Sequence, residues 1–219
     1  MSDFLMDDKS FLEELERRQD NKAVKQFLNK RQAQKTKDDK SCHMIVAMRR
    51  NGKAKGENQG LSKLVIRKVV RPGEDYHIVA KEFSNQLSNE DGYWRMYRSV
   101  NKRDLTKAKQ ALQLKLIEDG DRISHKIDSE WKSILMKKEC RAERRFLLDV
   151  DTIDEDVCVK ALTKLDDLGV DILEDNQTPN GFHWVTTLFN PAEMSEFEDI
   201  DVKHDDLFYL FDFGDKSCK

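Results

Sequence analysis

Two short stretches in the C-terminal half carry residue types and spacings suited to metal-assisted phosphate chemistry. Arg145-Phe146-Leu147-Leu148-Asp149-Val150-Asp151-Thr152 has the composition of a buried strand with two carboxylates at its end. Alternate strand residues point the same way, so Asp149 and Asp151 share a face. Like charges held that close repel unless a cation sits between them. Mg²⁺ suits such a place, because it takes hard oxygen ligands and keeps positions for water and substrate phosphates. Further on, Thr178-Pro179-Asn180-Gly181-Phe182-His183-Trp184-Val185-Thr186 is a turn feeding a second strand, with a histidine on it. Gly181 permits close backbone approach to a phosphate, and Pro179 stiffens the turn. Thr178, His183 and the amides around Asn180 and Gly181 supply hydrogen-bonding groups for a phosphate chain.

A third patch, Arg95-Met96-Tyr97-Arg98-Ser99-Val100-Asn101-Lys102-Arg103, alternates aromatic or apolar residues with cationic ones. With Lys137, Lys138, Arg141, Arg144 and Arg145 it would form a basic wall for a template or a phosphate tail, with Arg98 and Arg103 as its preferred members. Each signal has a structural alternative. Asp149 and Asp151 suit a strand end or a helix cap ahead of Asp154, His183 suits a hydrogen-bonded strand position, and Arg98 to Arg103 suits a solvated strand end.

The elements that must position these residues are legible in outline. Cys42 to Met48 and Leu64 to Val70 are two strands of a hairpin joined by a long basic loop containing Gly52, Gly56 and Gly60. Ile78 to Leu87 suggests a helix, and Tyr93 to Val100 alternates as a half-buried strand does. Helices follow from Asp104 or Leu105 and around Ile127 to Glu139. Asp154 to Leu168 is amphipathic, with Val157, Ala161, Leu162, Leu165 and Leu168 inward and Gly169 as its stop. Val170 to Leu173 and Phe182 to Leu188 are adjacent strands, Pro191 opens a short helix or turn, and Leu207 to Phe211 is apolar enough for a central strand. The pattern is α+β, a mixed or antiparallel sheet with covering helices. Residues 1–40 form a charged helical extension, and 41–219 a single domain.

At 219 residues the chain can bury one sizeable core, and its 37% charged residues imply long solvated faces. The net charge of -3 hides a basic early segment, Arg49 to Arg71, and an acidic one from Glu193 onward. Cys42, Cys140, Cys158 and Cys218 lie far apart without a CxxC pair, which suggests neither a disulfide framework nor a structural zinc site and suits a reducing cytoplasm, the host's if the protein is viral. No apolar run approaches the roughly 18 residues of a spanning helix, so no membrane partner is expected.

Leu147-Leu148-Asp149-Val150-Asp151 followed by Thr178-Pro179-Asn180-Gly181-Phe182-His183 resembles the archaeo-eukaryotic primase superfamily, including the primase-polymerases, in a phage-type form. The resemblance covers about residues 93–212 and implies an RRM-like catalytic core. It implies that Asp149 and Asp151 hold Mg²⁺ or Mn²⁺ and that His183 contacts the phosphates of an incoming nucleoside triphosphate. A third carboxylate completes such a site: Asp205 or Asp206 is preferred, with Asp201 and Asp212 also open. The implied activity is nucleotidyl transfer to a DNA or RNA strand. The same donors would also serve a nuclease, and a non-catalytic phage-type binding or inhibitor protein retaining the fold is the third possibility, docking a partner through its N-terminal segment. All three need Asp149 and His183 on neighbouring strands, facing one cleft.

Overall fold

The structure is a computed structural model that describes residues 40–50, 64–88, 90 and 92–214. The expected N-terminal helical extension up to residue 39 and the loop carrying Gly52, Gly56 and Gly60 lie outside those residues. In chain order the elements are β1 (Ser41–Cys42), β2 (Met44–Arg50), β3 (Val65–Val69), α1 (Tyr76–Gln86), β4 (Tyr93–Ser99), β5 (Arg103–Asp104), α2 (Leu105–Ile123), α3 (Ile127–Leu135), β6 (Phe146–Val150), α4 (Glu155–Asp167), β7 (Ile172–Gln177), β8 (Phe182–Thr186), β9 (Ile200–Lys203) and β10 (Leu207–Gly214). Among the described residues, three of the four α-helices start on an aspartate whose carboxylate accepts from amides of the first turn: Asp75 from His77, Asp104 from Thr106 and Lys107, and Asp154 from Asp156 and Val157. Such a cap contributes about 1 kcal/mol.

The fold is α+β with antiparallel pairing, in keeping with the sequence pattern, but the strands of the described residues form two four-stranded sheets and a two-stranded ribbon. Where the sequence suggests one domain over 41–219, the described chain divides into two compact units, Leu148–Lys203 and residues 40–147 with 204–214. The division falls inside β6.

The larger unit is built on the sheet β10-β4-β2-β3. On one side Met44, Val46, Tyr97 and Tyr209 pack with Ala108 of α2 and Ile134 and Leu135 of α3. On the other, α1 lies against β2 and β4. With both faces covered, strand alternation no longer separates core from solvent: Trp94, Met96, Tyr97, Arg98 and Ser99 are all buried. The same cover explains β10. Phe208, Tyr209 and Leu210 are buried, yet the strand stands at the sheet's edge, where an apolar run suggests a central place.

His43 belongs to this unit. Its Nδ1 donates to the carbonyl of Ser99 at 3.1 Å. Burial, aided by the charge of Arg98, pushes its pKa down to about 3 from an ordinary 6.5. Above 6.5 the ring is neutral both folded and unfolded. Below it the unfolded chain takes a proton that the folded chain refuses, so stability falls as pH drops from 6.5 toward 3. The expected loss at pH 5 is on the order of 2 kcal/mol. Urea denaturation at pH 7 and pH 5 checks this, and a His43→Gln variant should flatten the difference.

The Leu148–Lys203 unit has the strand order β7-β8-β6-β9. Its helix α4 buries Cys158, Ala161 and Leu165 and ends as expected at Gly169, whose φ of +66° suits a residue without a Cβ. Between β8 and β9 the chain makes only a short 3-10 turn, Pro191–Met194. Among the described residues of the whole chain, no helix is long and apolar enough to cross a membrane.

Candidate functional site

Strand β6 buries Leu148 and Val150 and turns Asp149 the other way, half-buried. On the adjacent strand β8, Phe182 and Trp184 alternate with His183, and His183 pairs across β7 with Asn176. The two chemically active side chains meet: His183 Nε2 lies 3.1 Å from Asp149 Oδ1. The other carboxylate oxygen, Oδ2, accepts from the ammonium of Lys203 at the end of β9. Asp149 is therefore held by two donors from the strands on either side of its own. The His183 hydrogen bond, joined by the Lys203 ammonium, pulls its pKa down to about 2 against the opposing effect of burial. Its charge persists through the whole physiological range.

Asp151 follows directly after β6. Its side chain is exposed, and its amide donates to the carbonyl of Asp199 at 2.8 Å. The helix cap that a strand-end aspartate suggests is taken by Asp154, so capping explains neither Asp149 nor Asp151.

The turn before β8 is built differently from a phosphate cradle. Thr178 Oγ1 accepts from the amide of Gly181 at 3.1 Å and stands 3.4 Å from that of Asn180, so the groups expected to face a ligand hold one another. Gly181 is needed for a backbone neighbour: an added Cβ would stand 1.9 Å from the carbonyl oxygen of Val150. Its close approach locks the turn to the end of β6, one residue from Asp149.

The remaining expected site residues lie in the larger unit. Arg98 is 0% exposed, donates to the carbonyls of Ser99 and Val100, and lies 4.9 Å from the Tyr76 ring and 4.6 Å from that of Phe208. Arg103 is also 0% exposed and makes a two-pronged pair with Asp205, both contacts 2.9 Å. These two arginines form no exposed basic wall, because β4 is covered on both faces and β5 turns Arg103 inward. Asp205 also accepts from Asn101, Asp206 accepts from the amide of Leu207, and Asp212 pairs with Arg95 and with the hydroxyl of Tyr93. Of the four carboxylates considered as a third ligand, only Asp201 belongs to the sheet that carries Asp149. It lies on β9, exposed, and shares a face with Lys203 by alternation.

Lys203 is the residue that sequence reasoning missed. Its signal was Ile200-Asp201-Val202-Lys203, a short period-two alternation among acidic residues, with Ile200 buried.

As a cation site, the cluster offers the hard oxygens of Asp149 and already accommodates positive charge at Oδ2. Among the described residues, no group of three His, Cys, Asp or Glu side chains converges to hold a metal ion. An ion bound here would draw its further ligands from water and substrate phosphates, as Mg²⁺ commonly does. Comparison with protein-family models, curated proteins and solved structures finds no match for the chain.

Proposed function

We propose that the Leu148–Lys203 unit carries a metal-dependent nucleotidyltransferase site of the primase-polymerase type, acting on nucleoside triphosphates and a DNA or RNA strand. The observation that carries this reading is the meeting of Asp149 and His183 on one face of the two middle strands. The order of elements supports it. Numbered from β6, the strands run 4-1-3-2 across the sheet, the arrangement of a split β-α-β-β-α-β unit of RRM-like type with its second helix reduced to the Pro191–Met194 turn.

In this reading Asp149 and Asp151 hold Mg²⁺ or Mn²⁺ with water and substrate phosphates as the further ligands, and the ion would supply charge stabilisation to the oxygens of the transferring phosphoryl group. His183 does the chain's own part. Asp149 fixes its ring, so the imidazole meets a triphosphate in one orientation without a conformational search. A cytoplasmic setting fits three buried, unbridged cysteines, two of whose thiols burial pushes up to about 11 and thus out of easy oxidation.

A second reading draws on the same pairing. Both oxygens of Asp149 are engaged by internal donors, which is what a non-catalytic binding protein that kept the fold would display. The double substitution Asp149→Ala with Asp151→Ala separates the two. It is expected to abolish Mn²⁺ binding by calorimetry and incorporation of labelled nucleotide, with the far-UV circular dichroism unchanged. Full function in that variant would favour the binding protein, and cleavage of labelled DNA without incorporation by the native chain would turn the same donors to hydrolysis.

A further inference from the structure

Helix α2 turns an apolar face to the core and places further apolar side chains on the side away from it. Leu105, Ala108, Ala111 and Leu112 pack into the larger unit. On the opposite stripe Leu114 and Ile117, one turn apart, are 62% and 83% exposed. At that exposure they add little burial to the fold, and polar residues surround them, as happens at contact sites. The stripe that holds them runs Lys107, Gln110, Leu114, Ile117 and Asp121 at helical spacing, every one of them exposed. Its charge changes sign along the helix. Lys107 and Lys109 stand near the start, where Lys107 has only long contacts, 3.9 Å to Asp104 and 3.3 Å to the carbonyl of Arg141. Glu118, Asp119 and Asp121 stand near the end against Arg122, which lies 4.0 Å from Asp119. A break from helical torsions at Asp119 falls between Ile117 and Asp121, and Glu118 carries the same sign on its near side.

We propose that α2 is a self-association surface: two copies of the chain pair antiparallel through it, Leu114 and Ile117 of one against those of the other. A two-fold axis lays one helix reversed upon the other, so a stripe that is cationic before its apolar centre and anionic after it is complementary to itself. Lys107 and Asp121 each lie seven residues from Leu114. Each Lys107 therefore comes to the acidic end of the partner helix, and the match is made twice. A parallel pair would set like charges together, and a partner strongly charged in one sense would suit only half of the stripe. The contact is a single helix face on each copy, smaller than the roughly 800 Å² per partner of a standard interface, so the pair is transient and sensitive to concentration and salt. This association is independent of the chemistry proposed for the Leu148–Lys203 unit.

Sedimentation equilibrium on the full chain tests it. The mass should rise from 25.7 kDa toward twice that value as the protein concentration increases, and less steeply in high salt. Ile117→Glu should weaken the association roughly 100-fold, because an apolar contact is lost and a charge is introduced on both sides of the axis. Lys107→Glu and Asp121→Lys should each weaken it about 10-fold by placing like charges opposite one another. An equal mixture of those two variants should recover the native association, since each supplies the sign that the other lacks. All three positions are exposed, so the far-UV circular dichroism should stay native. A native chain that keeps the monomer mass at every concentration would overturn the proposal, as would an association that Ile117→Glu leaves untouched. A mixture that associates no better than its two components would overturn the antiparallel arrangement.

Discussion

Replacing Asp205 with alanine is expected to destabilise the protein by about 3–5 kcal/mol, the range for breaking a buried ion pair from one side. The Arg103 side chain is only 1% exposed, and both of its terminal nitrogens reach Asp205 at 2.9 Å. Its position on β5 keeps the guanidinium almost wholly out of water, so losing the carboxylate leaves a buried charge without its counterion. Asn101, itself 0% exposed, loses a partner at the same time, because its amide donates to Asp205 Oδ1 at 3.0 Å. Urea denaturation should show a lower midpoint with an unchanged slope. Asp205→Asn keeps the shape and should fall between the two. Replacing both partners, Arg103→Met with Asp205→Leu, should restore much of the loss, since no buried charge then remains. A different result would revive Asp205 as a metal ligand: near-native stability for Asp205→Ala together with weakened Mn²⁺ binding.

Gly181→Ala is the second large effect. The new methyl carbon would stand 1.9 Å from Val150 O, 2.8 Å from Thr152 N and 2.9 Å from Thr152 O, all of them backbone atoms. No rotamer change relieves such a contact, and bringing the first of them out to 3.0 Å needs a shift of 1.1 Å, the difference of the two distances. The expected cost is about 3 kcal/mol, at the upper end for overpacking. The shift reaches function because Gly181 is two residues from His183 and Val150 is next to Asp149. An ångström lost between the two groups should loosen the imidazole and, if the proposed nucleotidyltransferase reading holds, lower nucleotide incorporation by on the order of 100-fold. Urea denaturation and the imidazole nitrogen shifts of His183 measure the two parts separately. An alanine variant of native stability and native imidazole shifts would show that the turn does not brace β6.

Much of the local structure was legible because it rests on neighbours in the chain. The Leu147 to Asp151 pattern marked β6, Asp154 and Gly169 bracketed α4, and the meeting of Asp149 with His183 followed from two strands that alternate about a common core. What could not be read depends on partners far away. Tyr93 to Ser99 alternates like a half-buried strand, but α1 covers the face where solvent was expected, and the rings that hold Arg98 come from Tyr76 and Phe208. Asp205 looked like a ligand because acidic residues near a strand suit one. Only the pairing across 102 positions reveals it as the counterion of Arg103. Lys203 was invisible for the same reason, lying 54 positions from the carboxylate it holds. Its strand is only four residues long, and the acidic residues around it mask the alternation.

The division of the chain inside β6 bears on how the protein is made. As the chain leaves the ribosome, β4 emerges long before β10, and the whole Leu148–Lys203 segment is synthesised between them. Throughout that interval one border of β4 lacks its companion ribbon, and the guanidinium of Arg103 lacks its counterion. The nascent larger unit is thus left to wait until Leu207–Gly214 has been made, whereas the segment bearing Asp149 and His183 has its β-sheet strands in hand by Lys203.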